Sequence, residues 1–309
     1  MMKTLTLTAV IALTTAPAFA QDLTFGSGSL DRGTFDTDGD SATALNIEGD
    51  VEFTYNQFVF GASAKVQTID QGFGDESISN YDAFAGYMPT ADILVGAGLT
   101  GIAIEGGETY NGYEVFGQYD NGQYGVAIVH ERPTSDNDDF SVTTVYGRAA
   151  LSPDVTLAGA VETISDEDEN VYYLSADYAA GPIAARAYYH GITGVDVAIY
   201  GASGRYDFGQ GWFGSADLQQ AEGYFGNDIT LYAIGGGYRI SDNAVIDASF
   251  GQLTSGADDA TTMRLGLTFE TGSRKRLDGA MSDAFRDDFA KGIGMLAPDL
   301  GFGGGINFY

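Results

Sequence analysis

Residues 45–55 read Leu-Asn-Ile-Glu-Gly-Asp-Val-Glu-Phe-Thr-Tyr, and apolar and polar side chains alternate along them. Leu45, Ile47, Val51, Phe53 and Tyr55 fall on one face, and Asn46, Glu48, Asp50, Glu52 and Thr54 on the other. A period of two is that of a β-strand with differently solvated faces. The same split runs through residues 262–270, where Met263, Leu265, Leu267 and Phe269 oppose Arg264, Thr268 and Glu270. In residues 170–180, Tyr172, Leu174, Ala176 and Tyr178 oppose Ser175 and Asp177.

Working outward, segments of this kind recur from Asp22 to Glu270, separated by turn signals. Short connections at Asn56, Pro89 to Asp92, Asn121-Gly122, Ser152-Pro153, Gly181-Pro182, Gly209 to Gly211 and Ser241 to Asn243 alternate with longer acidic ones. The longer ones lie around Asp70 to Ser77, Arg132 to Asp139 and Asp166 to Glu169. Segments of about 9–11 residues suffice to cross a bilayer at a tilt, and short turns alternating with longer loops are the rhythm of a transmembrane barrel. The expected fold is all-β, a transmembrane antiparallel β-barrel of about sixteen strands. Its weakest segment is the Gly-rich first one, around Gly28, whose place in the barrel the alternation does not settle.

Composition agrees. The 309 residues include 44 Gly, 19 Tyr, 19 Phe and no Cys, a mixture suited to many strands and turns. No window approaches the ~18 apolar residues of a transmembrane helix. Lys3, the apolar run Leu5 to Ala16 and Pro17-Ala18-Phe19-Ala20 have the form of a secretory signal peptide, residues 1–20. Export without cysteine leaves cohesion to packing and the membrane. A net charge of −29 argues against a nucleic-acid partner, since phosphate contacts need Lys and Arg.

The domain plan is therefore a leader at 1–20, a barrel at 21–270 and a C-terminal extension at 271–309. In the extension, Arg274-Lys275-Arg276 precedes Leu277, Met281, Phe285, Phe289 and Ile293, spaced every four residues as in an amphipathic helix. Three placements stay open: a plug or constriction inside the lumen, a periplasmic helix, or a closing strand from Asp299 to Tyr309.

The chain resembles the general-porin-like outer-membrane barrels of Gram-negative bacteria, especially the alphaproteobacterial kind. The leader, the sixteen-segment alternation, strand ends such as residues 263–269, and aromatics at strand ends (Tyr55, Phe58, Tyr87, Tyr119, Tyr124, Trp212, Tyr238) carry the likeness. The resemblance implies a sixteen-stranded barrel, often a homotrimer, passing small hydrophilic solutes by diffusion. Two features depart from it. The connection from Glu105 to Gly112 is too short for the inward loop such porins carry, and a long tail follows Phe269.

Candidate lumen residues follow from the cost of charge in lipid. An arginine facing lipid near mid-membrane costs roughly 2–4 kcal/mol, so polar-face bases should point inward. They are Lys65, Arg148, Arg186, Arg205, Arg239 and Arg264. Acids sharing that face are Glu48, Asp50, Glu52, Glu162, Asp177, Asp207, Asp217, Asp247 and Glu270. Opposed charge rows with acid in excess predict a cation-preferring pore. The alternative is a non-conducting structural or surface-binding barrel whose charges simply pair across a closed lumen.

No cofactor is expected. Asp36, Asp38 and Asp40 alternate as in calcium loops but lack the Gly and Glu of that motif, so they are weak metal candidates. Asp136, Asp138, Asp139 and Asp166 to Glu169 lie in outer loops, where Ca²⁺ or Mg²⁺ could bridge them to lipopolysaccharide phosphates. The only histidines, His130 and His190, occupy separate strands and read as interfacial or loop residues, which leaves no catalytic constellation.

Overall fold

A computed structural model describes residues 23–36, 41–70, 75–105, 109–134, 140–165, 170–194, 198–224, 227–255 and 258–278. The leader and most of the extension, residues 279–309, lie outside the described residues.

The sixteen strands are β1 (Leu23–Asp36), β2 (Ser41–Tyr55), β3 (Phe58–Asp70), β4 (Asp75–Thr90), β5 (Ile93–Ile104), β6 (Thr109–Asp120), β7 (Tyr124–Thr134) and β8 (Val142–Ser152), followed by β9 (Val155–Ile164), β10 (Asn170–Ala180), β11 (Ile183–Ile192), β12 (Ala198–Gly209), β13 (Trp212–Tyr224), β14 (Asn227–Ser241), β15 (Ala244–Ser255) and β16 (Asp258–Gly272). Each pairs antiparallel with its sequence neighbours, and β1 pairs with β16 to close the ring. The Gly-rich first segment is thus a full barrel strand, in register with β2 from Phe25 to Asp36. Closure between β1 and β16 leaves no open edge in the ring.

Local chemistry sets the ends. At one rim Asn56 and Gln210 adopt positive φ, as do Gly122, Gly181, Gly209 and Gly211, so each turn reverses the chain within two or three residues. The Asn121 carboxamide accepts from the Gln123 and Tyr124 backbone N–H groups, at 3.0 and 2.8 Å, and fixes that hairpin. The opposite rim carries connections of two to seven residues, shorter than the sequence suggests because strands extend into them; β4 already begins at Asp75. The connection between β5 and β6 covers only residues 105–108.

The outward face is apolar and exposed, as a lipid-facing wall should be: Leu99, Leu174, Ile234 and Leu265 lie in its middle band. Tyr55, Phe58, Tyr87, Tyr119, Tyr124, Trp212 and Tyr238 ring the short-turn rim, while Tyr81, Tyr113, Tyr189 and Tyr232 lie nearer the other. Trp212 and Tyr238 pack at a ring separation of 4.8 Å. Amphipathic rings near both rims match the two headgroup levels of a membrane-spanning barrel.

The inward face has two zones. Toward the short turns it carries ion pairs beside buried Phe25, Val59, Leu94 and Phe213. Toward the loop rim it is largely apolar and buried, with Phe35, Ala44 and Ile69 in one cluster and Val129, Tyr173, Ile199, Leu231 and Leu253 in another. Buried polar residues interrupt this belt, among them Glu162, His190 and Gln219.

Candidate functional site

The site is the lumen and the length of chain that enters it. Each residue read above as lumen-facing lies on the inward alternation of its strand. Arg148 pairs with Asp120 at 2.8 Å, Arg186 with Asp177, and Arg239 with Asp207 at 3.7 Å. Arg264 bridges two strands by pairing with both Asp31 and Asp247. Arg205 lies over the Phe213 ring at 3.7 Å. Glu48 and Lys65 sit opposite each other in the β2–β3 register, and Asp50 and Glu52 follow on the same face. Asp217 faces inward on β13, and Glu270 is exposed at the short-turn end of β16. Glu162 is fully buried and accepts a hydrogen bond from the Thr144 hydroxyl at 3.1 Å.

Further inward acids stand on strands whose alternation was not read for charge. Asp31 lies in the Gly-rich β1, Asp82 in β4, and Glu114 and Asp120 in β6. Residues 113–120 do carry the signal: Glu114, Phe116, Gln118 and Asp120 alternate with exposed Tyr113, Val115 and Tyr119. His190 also departs from expectation. Period two from Tyr188 turns it into the lumen, where it is buried, whereas His130 faces outward and contacts Thr143 at 2.9 Å.

After β16 the chain leaves the wall. Gly272 has φ +79°, and a Cβ there would lie 2.0 Å from the Thr24 carbonyl oxygen, so only glycine fits. The Ser273 N–H then donates to the Thr24 carbonyl at 2.7 Å, and the chain crosses the barrel interior. Arg274 pairs with Asp50 at 3.3 Å and lies over Phe25. The Glu52 carboxylate accepts from the backbone N–H of Lys275 at 2.7 Å and of Arg276 at 3.3 Å. Gln118 closes a two-way clasp, donating to the Lys275 carbonyl at 2.6 Å and accepting from the Leu277 N–H at 2.8 Å.

Arg276 is the centre of this strap. Its guanidinium makes a bidentate pair with Glu114, at 2.6 and 2.7 Å, and its Nε donates to Asp278. It also sits over the Phe116 and Phe84 rings, 4.3 and 4.9 Å from their centroids. Burial works against its charge, but Asp278 and Glu114 outweigh that and hold its pKa well above the ordinary arginine value. Leu277, buried beyond it, packs where a Cβ at Gly125 would come within 2.8 Å of its side chain. Sixteen strands tilted by ~40° give a backbone diameter of about 32 Å. Six extended residues reach at most about 20 Å. Residues 273–278 therefore lie across a substantial part of the short-turn half, from β1 to the β7–β8 side, and the backbone becomes helical at Leu277 and Asp278.

For metals, Asp36 ends β1 exposed at the loop rim, while Asp38 and Asp40 lie outside the described residues. Among the described residues no group of three or more His, Asp or Glu side chains is placed to hold an ion.

The closed sixteen-stranded antiparallel barrel is the general-porin fold. The solved structures it is similar to include engineered variants of the porin of Rhodopseudomonas blastica. One of these superposes with a TM-score of 0.53 at 15% sequence identity, covering 81% of this chain and 100% of the porin. Another gives a TM-score of 0.52 at the same identity and coverage. At the level of sequence, no family model and no curated protein matches the chain.

Proposed function

We propose that the protein is an outer-membrane diffusion channel for small hydrophilic solutes, cation-preferring and narrowed from the periplasmic side by its own residues 273–278. The observation that carries this reading is the ion-paired lumen wall. Wall bases such as Arg148, Arg186, Arg239 and Arg264 are matched by acids, Arg264 by two, and inward-facing acids outnumber inward-facing bases on the strands. An acidic, low-dielectric passage concentrates cations and raises the barrier to anions. The strap supplies a constriction that the short loop-rim connections are not long enough to form.

A secretory leader at 1–20, trimer formation and divalent bridging of loop acids to lipopolysaccharide belong to the same proposal. Purified protein in planar bilayers under a KCl gradient should give a reversal potential of cation sign, and proteoliposomes should swell in small sugars. A chloride-favouring potential would overturn the cation preference. Absence of both conductance and swelling would favour a second reading, a closed structural barrel. The burial of Glu162, Tyr173 and Ile199 on the inward face gives that reading its weight.

A further inference from the structure

Of the eight Lys and Arg on the described strands, six face the lumen, but Arg32 and Arg132 face out, and both are exposed. Arg32 lies in register with Leu45 and with Leu265, itself exposed on the outward wall. Arg132 lies in register with the exposed Tyr113, two residues along from the outward-facing His130. An arginine on a lipid-facing wall is costly at mid-membrane and tolerated only near the headgroups. Both side chains stand toward the loop rim. Arg32 is four residues from the end of β1 at Asp36, and Arg132 is two from the end of β7 at Thr134. With a rise of ~2.5 Å per residue along a tilted strand, they lie about 10 and 5 Å below those ends. Their neighbours mark the same level. Around Arg32 the apolar Leu30, Leu45 and Leu265 give way toward the rim to Thr34, Thr43 and Thr261. Beside Arg132, His130 meets the Thr143 hydroxyl at 2.9 Å, and Tyr113 belongs to the aromatic ring of that rim. Exposed acids such as Asp36, Asp70 and Asp259 come farther out, at or next to the strand ends.

We infer that Arg32 and Arg132 are docking points for the phosphate of an anionic lipid in the leaflet at the loop rim. Charge complementarity identifies the occupant. A guanidinium presents a planar fork of donors that matches phosphate oxygens, and its aliphatic stem can lie along apolar wall such as Leu265 while the charged head reaches the headgroup layer. The rest of the molecule works against such a contact, because a net charge of −29 repels anionic lipid. Attraction must therefore come from local outward bases, and these two supply it below the level of the exposed rim acids. The hydroxyls of Thr34 and Thr43, paired in register on the outward face above Arg32, add neutral donors at the same height.

The two sites rest on the chain being a membrane barrel, as proposed above, and not on its conducting. Full-length protein in detergent, titrated with phosphatidic acid or with diacylglycerol of the same acyl chains, is read by native mass spectrometry for retained lipid. The wild type should take up two phosphatidic acids at least about 5-fold more tightly than diacylglycerol. Arg32→Gln and Arg132→Gln should each remove one of these preferential binding events, the double variant should remove both, and Arg→Lys at both positions should keep them. The preference of the wild type should also weaken between 0.1 and 1 M KCl, where the Debye length falls from about 10 to about 3 Å. That measurement serves even if a glutamine variant fails to assemble. Equal retention of the two lipids by the wild type, a preference that survives in the double variant, or one insensitive to salt would overturn the inference. Displacement of the lipid by excess inorganic phosphate would overturn it too, by marking the sites as ones for a free anion. Both residues lie outside the lumen, so the double variant should conduct as the wild type does. A barrel that discriminates the two lipids but never conducts would leave the sites standing and overturn the diffusion channel instead.

Discussion

At the residue scale the decisive contact is the bidentate pair between Arg276 and Glu114, both nearly inaccessible to water. A buried ion pair is not in itself a strong source of stability, since desolvation offsets much of the Coulomb gain. Breaking one is costly, because the remaining charge is left uncompensated. Arg276→Met should therefore destabilise the strap by about 3–5 kcal/mol. Its rings lose a cation contact worth about 0.5–2 kcal/mol as part of that cost. The double variant Arg276→Met, Glu114→Gln should lose clearly less than the two single variants summed, a non-additivity that urea midpoints in detergent would measure. Strictly additive losses would show that the pair does not act as a unit. The contact joins positions 162 residues apart, so no spacing rule in the sequence could have paired them.

At the element scale, the boundary between wall and strap is one residue, Gly272. Its left-handed backbone and its approach to Thr24 turn the chain inward while β1 and β16 stay paired to the rim. Gly272→Val would combine a clash with a backbone region that β-branched residues avoid, at a cost on the order of 1–3 kcal/mol. The expected outcome is an intact barrel by circular dichroism with higher single-channel conductance, because the strap is displaced rather than the wall. Gly147→Ala, at a position with open space beside it, is the matched control and should leave conductance unchanged. Strand positions themselves were largely legible: the alternating segments at 45–55, 170–180 and 262–270 fall inside β2, β10 and β16, and Gly28 inside β1. Strand ends were less so, because pairing extends strands through polar residues such as Asp75 once a partner strand is beside them.

At the scale of the whole molecule, the protein combines a net charge of −29 with a lumen wall that carries both ion pairs and a buried apolar cluster. A cation preference that arises from summed charge should weaken with ionic strength. The Debye length shrinks from about 10 Å at 0.1 M to about 3 Å at 1 M, well below the width of the passage. The reversal potential for a fixed KCl ratio should accordingly fall toward zero at high salt. A preference unchanged at 1 M would place selectivity in direct contact at a narrow point, such as the strap.

What the sequence by itself determined is the barrel and its outward face. Lipid tolerates only apolar side chains there, so the demand repeats at every second residue of every strand and is written in local order. The inward face carries no such demand. A lumen position can be charged, as at Arg264, or apolar, as at Ile199, provided something suitable lies against it. That depends on which strands and which part of the chain meet across the interior. Only the tertiary structure decided that Arg276 lies against Glu114, that Gly272 turns the chain inward, and that Tyr173 and Ile199 are buried on the inward face.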